Sequence, residues 1–256
     1  MTEAASDRDR ARSFGSVAED YDRARPTYPG ELIDDLVAGG TPSVLDIGCG
    51  TGKAAELFIA RGCSVVGVEA DPRMADVARR KGIAVEVSDF ERWDARDRRF
   101  DLVVAAQAWH WMDPDVAPAK AADTLWPGGR LALFWNIGRH DPDVRAALTI
   151  VYEHEAPTLA GATSALGMLP DEREGRLAEL ARSGRFEGPE LRAYTWDASY
   201  SRDAWLAFLR THSDHLHLPA EQRESVLRGV AGVIDSLGGR LIFHFTTVLV
   251  LTARSA

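Results

Sequence analysis

Two cysteines in 256 residues leave no room for a disulfide framework. Cys49 stands inside a glycine-rich turn and Cys63 just ahead of an apolar run, so neither is placed as a structural partner and a reducing compartment is expected. Long hydrophobic runs are missing as well: no stretch reaches the roughly 18 apolar residues of a membrane span. Met1 to Asp20 is polar and charged, without the apolar core of a signal peptide. No membrane insertion and a cytoplasmic location are therefore expected. Positive charge is in deficit, 30 Lys and Arg against 39 Asp and Glu for a formal net charge of −9, which argues against a nucleic-acid partner. A metal motif is lacking too. His212, His215 and His217 stand close together, but no cysteine or well-spaced carboxylate joins them, so no metal is expected and they read as capping a helix end or edging a pocket. Internal repeats and low-complexity tracts are absent.

What the chain does have is Val44-Leu45-Asp46-Ile47-Gly48-Cys49-Gly50-Thr51-Gly52, followed 17 residues after its last glycine by Glu69 at the end of Ser64-Val65-Val66-Gly67-Val68. An apolar run that breaks into alternating glycines and then a helical stretch predicts a strand, a tight turn and a helix N-terminus, with a second strand ending in a carboxylate nearby. Glycines suit such a turn because it demands positive φ and lets backbone N–H groups approach a ligand without a Cβ in the way. Glu69 is placed to accept hydrogen bonds from two ribose hydroxyls.

Three nucleotide sites share this vocabulary. A phosphate-cradling P-loop fails, because Ile47 stands where its first glycine belongs and Ala54 where its hydroxyl belongs. A dinucleotide fingerprint survives weakly in Gly50-Thr51-Gly52-Lys53-Ala54-Ala55, the alanine-ended form, and keeps an NAD-dependent oxidoreductase open as an alternative. The third reading also uses Asp46: a carboxylate at the strand tip suits a cationic ligand and repels a pyrophosphate.

Asp46-Ile47-Gly48-Cys49-Gly50-Thr51-Gly52 resembles the first motif of class I S-adenosylmethionine-dependent methyltransferases. Four further segments resemble that family's pattern in order: Glu69-Ala70-Asp71, Val85 to Phe90, Phe100 to Ala108, and Leu125 to Leu133. Gln107-Ala108-Trp109-His110-Trp111 is similar to the corresponding stretch of the type 11 and trans-aconitate methyltransferases, whose acceptors are small molecules. The resemblance implies S-adenosyl-L-methionine as cofactor, S-adenosyl-L-homocysteine as product, and a small-molecule acceptor. It places Asp46, Gly48, Cys49, Gly50 and Gly52 at the methionine end, Glu69 at the ribose and Asp89 and Phe90 at the adenine, with Ala70 and Met74 as further cofactor contacts. Gln107 becomes part of the floor. It also lays Tyr21 and Arg25 over the cofactor and Tyr28 beside the substrate, although the three residues serve equally to pin the N-terminal segment to the surface.

The alternation predicts an α/β fold with a Rossmann-like doubly wound sheet, and the resemblance implies that the last two strands complete a seven-stranded sheet, mostly parallel with one antiparallel strand, plus a helical cap. Strands are expected near 43–47, 64–69, 83–87, 101–106, 129–135, 190–196 and 241–252. Helices are expected near 31–38, 52–61, 72–81 and 114–124, then 144–154, 172–183, 203–211 and 219–237. This divides the chain into an N-terminal segment and helix over the cofactor (1–40, frayed over 1–12), a core (41–139), a helical cap insertion (140–188), and C-terminal strands and helices that complete the sheet and the acceptor pocket (189–256), the helices of the last two parts roofing the pocket. A monomer or homodimer is expected.

Methyl transfer from a sulfonium needs a nucleophile held in line and water kept out. A hydroxyl acceptor also needs a base; a carboxylate, already ionised at neutral pH, does not. Trp109-His110-Trp111 follows the fourth strand, with His110 as base, as an orienting contact, or as a structural histidine, and the two indoles as an apolar wall. Arg139, Arg210 and Arg25 are candidates to grip an acidic substrate. The chain reads as an oxygen-directed methyltransferase acting on a hydroxyl or carboxylate, or else as a non-catalytic protein that binds the nucleoside as a partner module.

Overall fold

A computed structural model describes residues 14–161, 163–167 and 173–255. The expected fraying of residues 1–12 lies outside them, as does the first residue of the helix expected from 172. Seven strands form one sheet in the order β3-β2-β1-β4-β5-β7-β6. They are β1 (Ser43–Ile47), β2 (Ser64–Glu69), β3 (Ala84–Val87), β4 (Phe100–Ala106), β5 (Leu125–Arg139), β6 (Glu190–Ser201) and β7 (Arg240–Ala253). The first five run parallel. β7 lies antiparallel between β5 and β6, so it is the one reversed strand.

Side chains of successive strand residues point to opposite faces, and both faces here are apolar. Val44, Leu102, Val104, Ala132 and Phe134 pack on one side. Their partners there are helices α2 (Gly30–Val37), α3 (Lys53–Ile59) and α4 (Pro72–Arg80). Leu45, Ile47, Val103, Ala105, Leu131 and Leu133 pack on the other face against α5 (Ala117–Thr124). Strands buried on both faces are what a parallel sheet covered by crossover helices requires.

The helix α1 (Ala18–Ala24) ends where Pro26 pushes Arg25 into an extended conformation (ψ 140°). β5 runs well past its expected bounds at both ends, with an irregularity in its pairing to β4 near Phe100 and Leu102 and Gly128 in a left-handed conformation (φ +76°). After β5 come α6 (Pro142–Glu155), α7 (Arg173–Ser183), α8 (Arg202–Leu209), α9 (Ser213–Leu216) and α10 (Ala220–Ser236). A third apolar cluster joins Tyr152 of α6, Trp205 and Phe208 of α8, Val230 of α10 and Phe243 and Phe245 of β7. α7 packs elsewhere: Leu180 joins Phe90 and Trp109 in the cluster on the α5 face.

Candidate active site

β1, β2 and β3 run outward from the centre in one direction, and the chain then returns to lay β4 on the other side of β1. Loops leaving β1 and β4 must diverge at that reversal, and the crevice between them is where ligands bind in such sheets. A cavity of about 650 Å³ opens there, lined by Gly48, Cys49, Gly50, Glu69, Asp89 and Gln107 along the carboxyl edge.

The glycine loop adopts the conformation its residues allow. Gly48 (φ +64°), Gly50 (φ +56°) and Gly52 (φ +84°) are left-handed. A Cβ on Gly48 would come within 2.6 Å of the Ala108 Cβ, so the absent side chain also admits the β4 loop. The Val68 carbonyl accepts from the N–H groups of Gly48 (2.8 Å) and Cys49 (3.2 Å), tying the loop to β2. Glu69 is then clamped: its Oε2 accepts from Gly50 N–H and its Oε1 from Asp71 N–H, each at 2.8 Å. Each carboxylate oxygen has a further lone pair to offer, and Glu69 lines the cavity. Burial raises the Glu69 carboxyl above its ordinary value, opposed by those two amides.

Asp46 sits beneath this loop, fully buried, with neither oxygen hydrogen-bonded among the described residues. Burial and the neighbouring Glu69 raise its carboxyl to about 8, so it is mostly protonated at neutral pH. It supports the loop from below and does not line the cavity. Gly52 likewise faces inward, where a Cβ would meet Ile83 at 2.2 Å.

Gln107 directly follows β4 in a left-handed conformation (φ +57°) unusual for its type. Its N–H donates to the Phe134 carbonyl (2.9 Å) and its Nε2 to the Asn136 carbonyl (3.1 Å). Asn136 in turn donates to the Thr27 carbonyl (3.0 Å) and accepts from Thr247 (2.7 Å), pinning the N-terminal segment across the sheet edge. Tyr21, Arg25, Tyr28 and Phe14 of that segment all line the cavity. Phe14 packs edge-on against both Tyr21 (5.5 Å) and Trp111 (6.3 Å).

Of the residues expected at the site, Ala70, Met74, Phe90, His110 and Trp111 also line the cavity. Trp109 does not. Residues 109–111 form a single 3₁₀ turn, in which neighbours project about 120° apart. Trp111 turns to the cavity while Trp109 is buried (1 % exposed) with its indole N–H 3.3 Å from Glu179 of α7. Arg139 is exposed at the end of β5, outside the lining, and Arg210 is exposed with Glu224 at 3.9 Å.

The roof comes only in part from residues 140–188. Leu159 and Ser164 reach the cavity, but more is supplied by Phe208, His212, Ser213 and Asp214 of the later block, with Phe243 and Phe245. His215 is buried, its Nδ1 donating to Asp214 (2.7 Å) and its Nε2 facing the Tyr152 hydroxyl (2.8 Å). His217 is held by the Ser213 carbonyl at 2.6 Å. Among the described residues no group of histidines, cysteines and carboxylates could hold a metal ion, and no helix is long and apolar enough to cross a membrane. Asn136 was not anticipated from sequence; its signal was one amide inside the apolar run Leu133-Phe134-Trp135.

A family model described as a methyltransferase domain matches residues 44–129, from β1 to the turn inside β5. Residues 44–129 are a methyltransferase domain. An uncharacterised methyltransferase of Mycobacterium tuberculosis is 44% identical over 134 residues, covering 51% of this chain and 55% of that protein. A trans-aconitate 2-methyltransferase of Variovorax paradoxus is 30% identical over 137 residues, 52% of each. The chain thus spans about half the length of the curated relatives it matches. A solved structure assigned as a type II methyltransferase, from Anaeromyxobacter dehalogenans, shares the fold with a TM-score of 0.65 at 22% identity, over 89% of this chain and 97% of that one. The methyltransferase domain therefore supplies the glycine loop, Glu69, Asp89 and Gln107. Asn136, Phe208, His212 and Asp214 come from chain beyond it.

Proposed function

We propose that the protein is a cytoplasmic S-adenosyl-L-methionine-dependent methyltransferase that moves a methyl group to an oxygen of a small-molecule acceptor, releasing S-adenosyl-L-homocysteine. The observation that carries this reading is Glu69, held by the Gly50 and Asp71 amides with lone pairs left toward the cavity, beside a left-handed glycine loop in a methyltransferase domain. Such a carboxylate suits a vicinal diol, and charged hydrogen bonds of this kind are the strong ones. The remaining roles follow from position. Gly48, Cys49 and Gly50 would seat the methionine end, with Asp46 and Gly52 supporting the loop from within. Ala70, Met74, Asp89 and Phe90 would flank the nucleoside, and Gln107 floors the site.

When bound, the cofactor supplies an activated methyl group, so this chain's residues have to hold an acceptor in line and exclude water. Phe14, Tyr21, Trp111 and Met112 give the apolar wall for that, and His110 orients the acceptor from the rim. Arg25 and Tyr28 lie on the acceptor side, where an oxygen nucleophile, hydroxyl or carboxylate, meets a guanidinium. The similarity to a trans-aconitate 2-methyltransferase supports a small-molecule acceptor. Calorimetric titration tests the donor half: S-adenosylhomocysteine is expected to bind and NAD not. Tight NAD binding with no response to S-adenosylhomocysteine would replace this reading with the oxidoreductase. Binding of S-adenosylhomocysteine without methyl transfer to any of a broad acceptor panel would favour the non-catalytic partner protein.

A further inference from the structure

His212 ends the short turn after α8, and its position is over-determined. Its Nδ1 lies 3.0 Å from the Phe208 carbonyl, which can only accept, so Nδ1 carries the proton and Nε2 carries the lone pair. The ring stacks edge-on against Phe208, with centroids 4.5 Å apart. The residue is 5% exposed and lines the cavity, and its Nε2 has no hydrogen-bond partner among the described residues. An imidazole with one nitrogen tied back and the other bare toward a cavity is an acceptor waiting for a proton.

Arg25 stands beside it. Its Nε donates to the Thr211 hydroxyl (2.9 Å) and one terminal nitrogen to the Thr211 carbonyl (2.8 Å), and its guanidinium lies over the rings of Tyr21 and Phe208. No carboxylate pairs with it among the described residues. Asp214, the nearest anion on the roof, is taken up by the Nδ1 and backbone N–H of His215. The charged and titratable groups that bear on His212 are thus Arg25 from the N-terminal segment and Asp214 and His215 from its own turn. The cation is fixed beside the lone pair.

We propose that His212 is the general base of the acceptor site, with Arg25 stabilising the oxygen anion as it forms, and that the acceptor group is an acidic hydroxyl, a phenol or enol. This rests on the methyltransferase reading above. The acceptor oxygen forms a bond to the methyl carbon, the electron pair of the broken carbon–sulfur bond stays on sulfur, and the hydroxyl proton passes to His212 Nε2 and later to water. A carboxylate fits less well, because it brings no proton for a bare Nε2 and would set two lone pairs against each other. An ammonium fits less well, because Arg25 repels it. Burial and Arg25 hold the imidazole well below its ordinary value, so it is neutral across the working range and matched to an acidic hydroxyl more than to an alcohol.

The test uses the full chain, wild type and His212→Gln, with 4-methylphenol, which keeps its proton at neutral pH, and 4-methylbenzoate, which does not, as probes. S-adenosylhomocysteine is expected to bind both proteins equally, which shows the variant folded; failure of the wild type to bind it would bring down the donor reading, a separate result. With S-adenosylmethionine, 4-methylphenol is expected to be methylated in preference to 4-methylbenzoate, and His212→Gln to lower kcat by about 10²- to 10⁴-fold. Preference for the benzoate, or undiminished turnover by the variant, overturns the proposal. Where neither probe turns over, long-range ¹⁵N–¹H NMR of the S-adenosylhomocysteine-loaded protein decides. The expected signal is a neutral His212 with Nδ1 protonated at pH 7; an Nε2-protonated ring or an imidazolium overturns it.

Discussion

Asp46 gives a prediction whose sign and size both follow from its surroundings. It is fully buried beneath the glycine loop, close to Glu69, with no hydrogen-bond partner for either oxygen among the described residues, and its carboxyl is raised from 3.8 to about 8. Between those values the folded protein holds a proton that the unfolded chain has released. The unfolded state then binds fewer protons, so stability falls as pH rises, by about 1.36 kcal/mol per pH unit, and levels off above the folded value. From pH 5 to pH 8 the loss is about 4 kcal/mol. Asp46→Asn keeps the shape and removes the titration. The assay is urea unfolding of wild type and Asp46→Asn at pH 5, 6, 7 and 8. The difference in unfolding free energy should shift by about 4 kcal/mol toward the variant across that range. Parallel curves would refute the reasoning, because they would mean that Asp46 is ionised or solvated in the fold.

Three other outcomes follow from the same geometry. Glu69→Ala should weaken S-adenosylhomocysteine binding by about 1.5–3 kcal/mol, the worth of hydrogen bonds to a charged group, measured by calorimetry; unchanged affinity would remove Glu69 from the ribose. Gly48→Ala must place a Cβ 2.6 Å from that of Ala108 at a φ of +64°; it should lower the thermal midpoint and S-adenosylhomocysteine affinity together, and a variant with wild-type values for both would contradict the packing described. His140 donates from Nε2 to the Ala165 carbonyl while its Nδ1 is buried without a partner among the described residues, and burial lowers it from 6.5 to about 4. Here the unfolded chain binds the extra proton, so stability is lost as pH falls through that window, by about 3 kcal/mol. His140→Phe should flatten this acid limb in urea unfolding between pH 6.5 and 4; an equally steep limb would exclude His140 as its source.

The sheet was legible because its signal is local. Strands such as Leu102-Val103-Val104-Ala105 are apolar on both faces and bounded by turns, and the glycines of residues 48–52 announce their own conformation. Where the site depends on direction as well as order, sequence alone misleads. Trp109 and Trp111 look equivalent on either side of His110, yet a three-residue 3₁₀ turn sends one to the core and the other to the cavity. Arg139 ends a site strand but faces solvent, whereas Arg25, 114 residues earlier, is folded under α8 by its bonds to Thr211. His212 was visible as one of three clustered histidines; its separate role depends on the Phe208 carbonyl choosing its tautomer, a contact made by packing. Which helices reach the pocket also depends on packing: α7 docks through Leu180 on the α5 face, whereas Phe208 of α8 and the turn after it line the cavity.

The central claim is that Glu69 holds the nucleoside end, and the glycine loop the methionine end, of a methyl-donor site. A crystal structure with S-adenosylhomocysteine tests it most directly. The account predicts both ribose hydroxyls within hydrogen-bond distance of the Glu69 carboxylate, the adenine beside Asp89 and Phe90, and the sulfur facing the pocket walled by Trp111, Arg25 and His212. A nucleoside bound with its ribose away from Glu69, or outside this cavity, would contradict it.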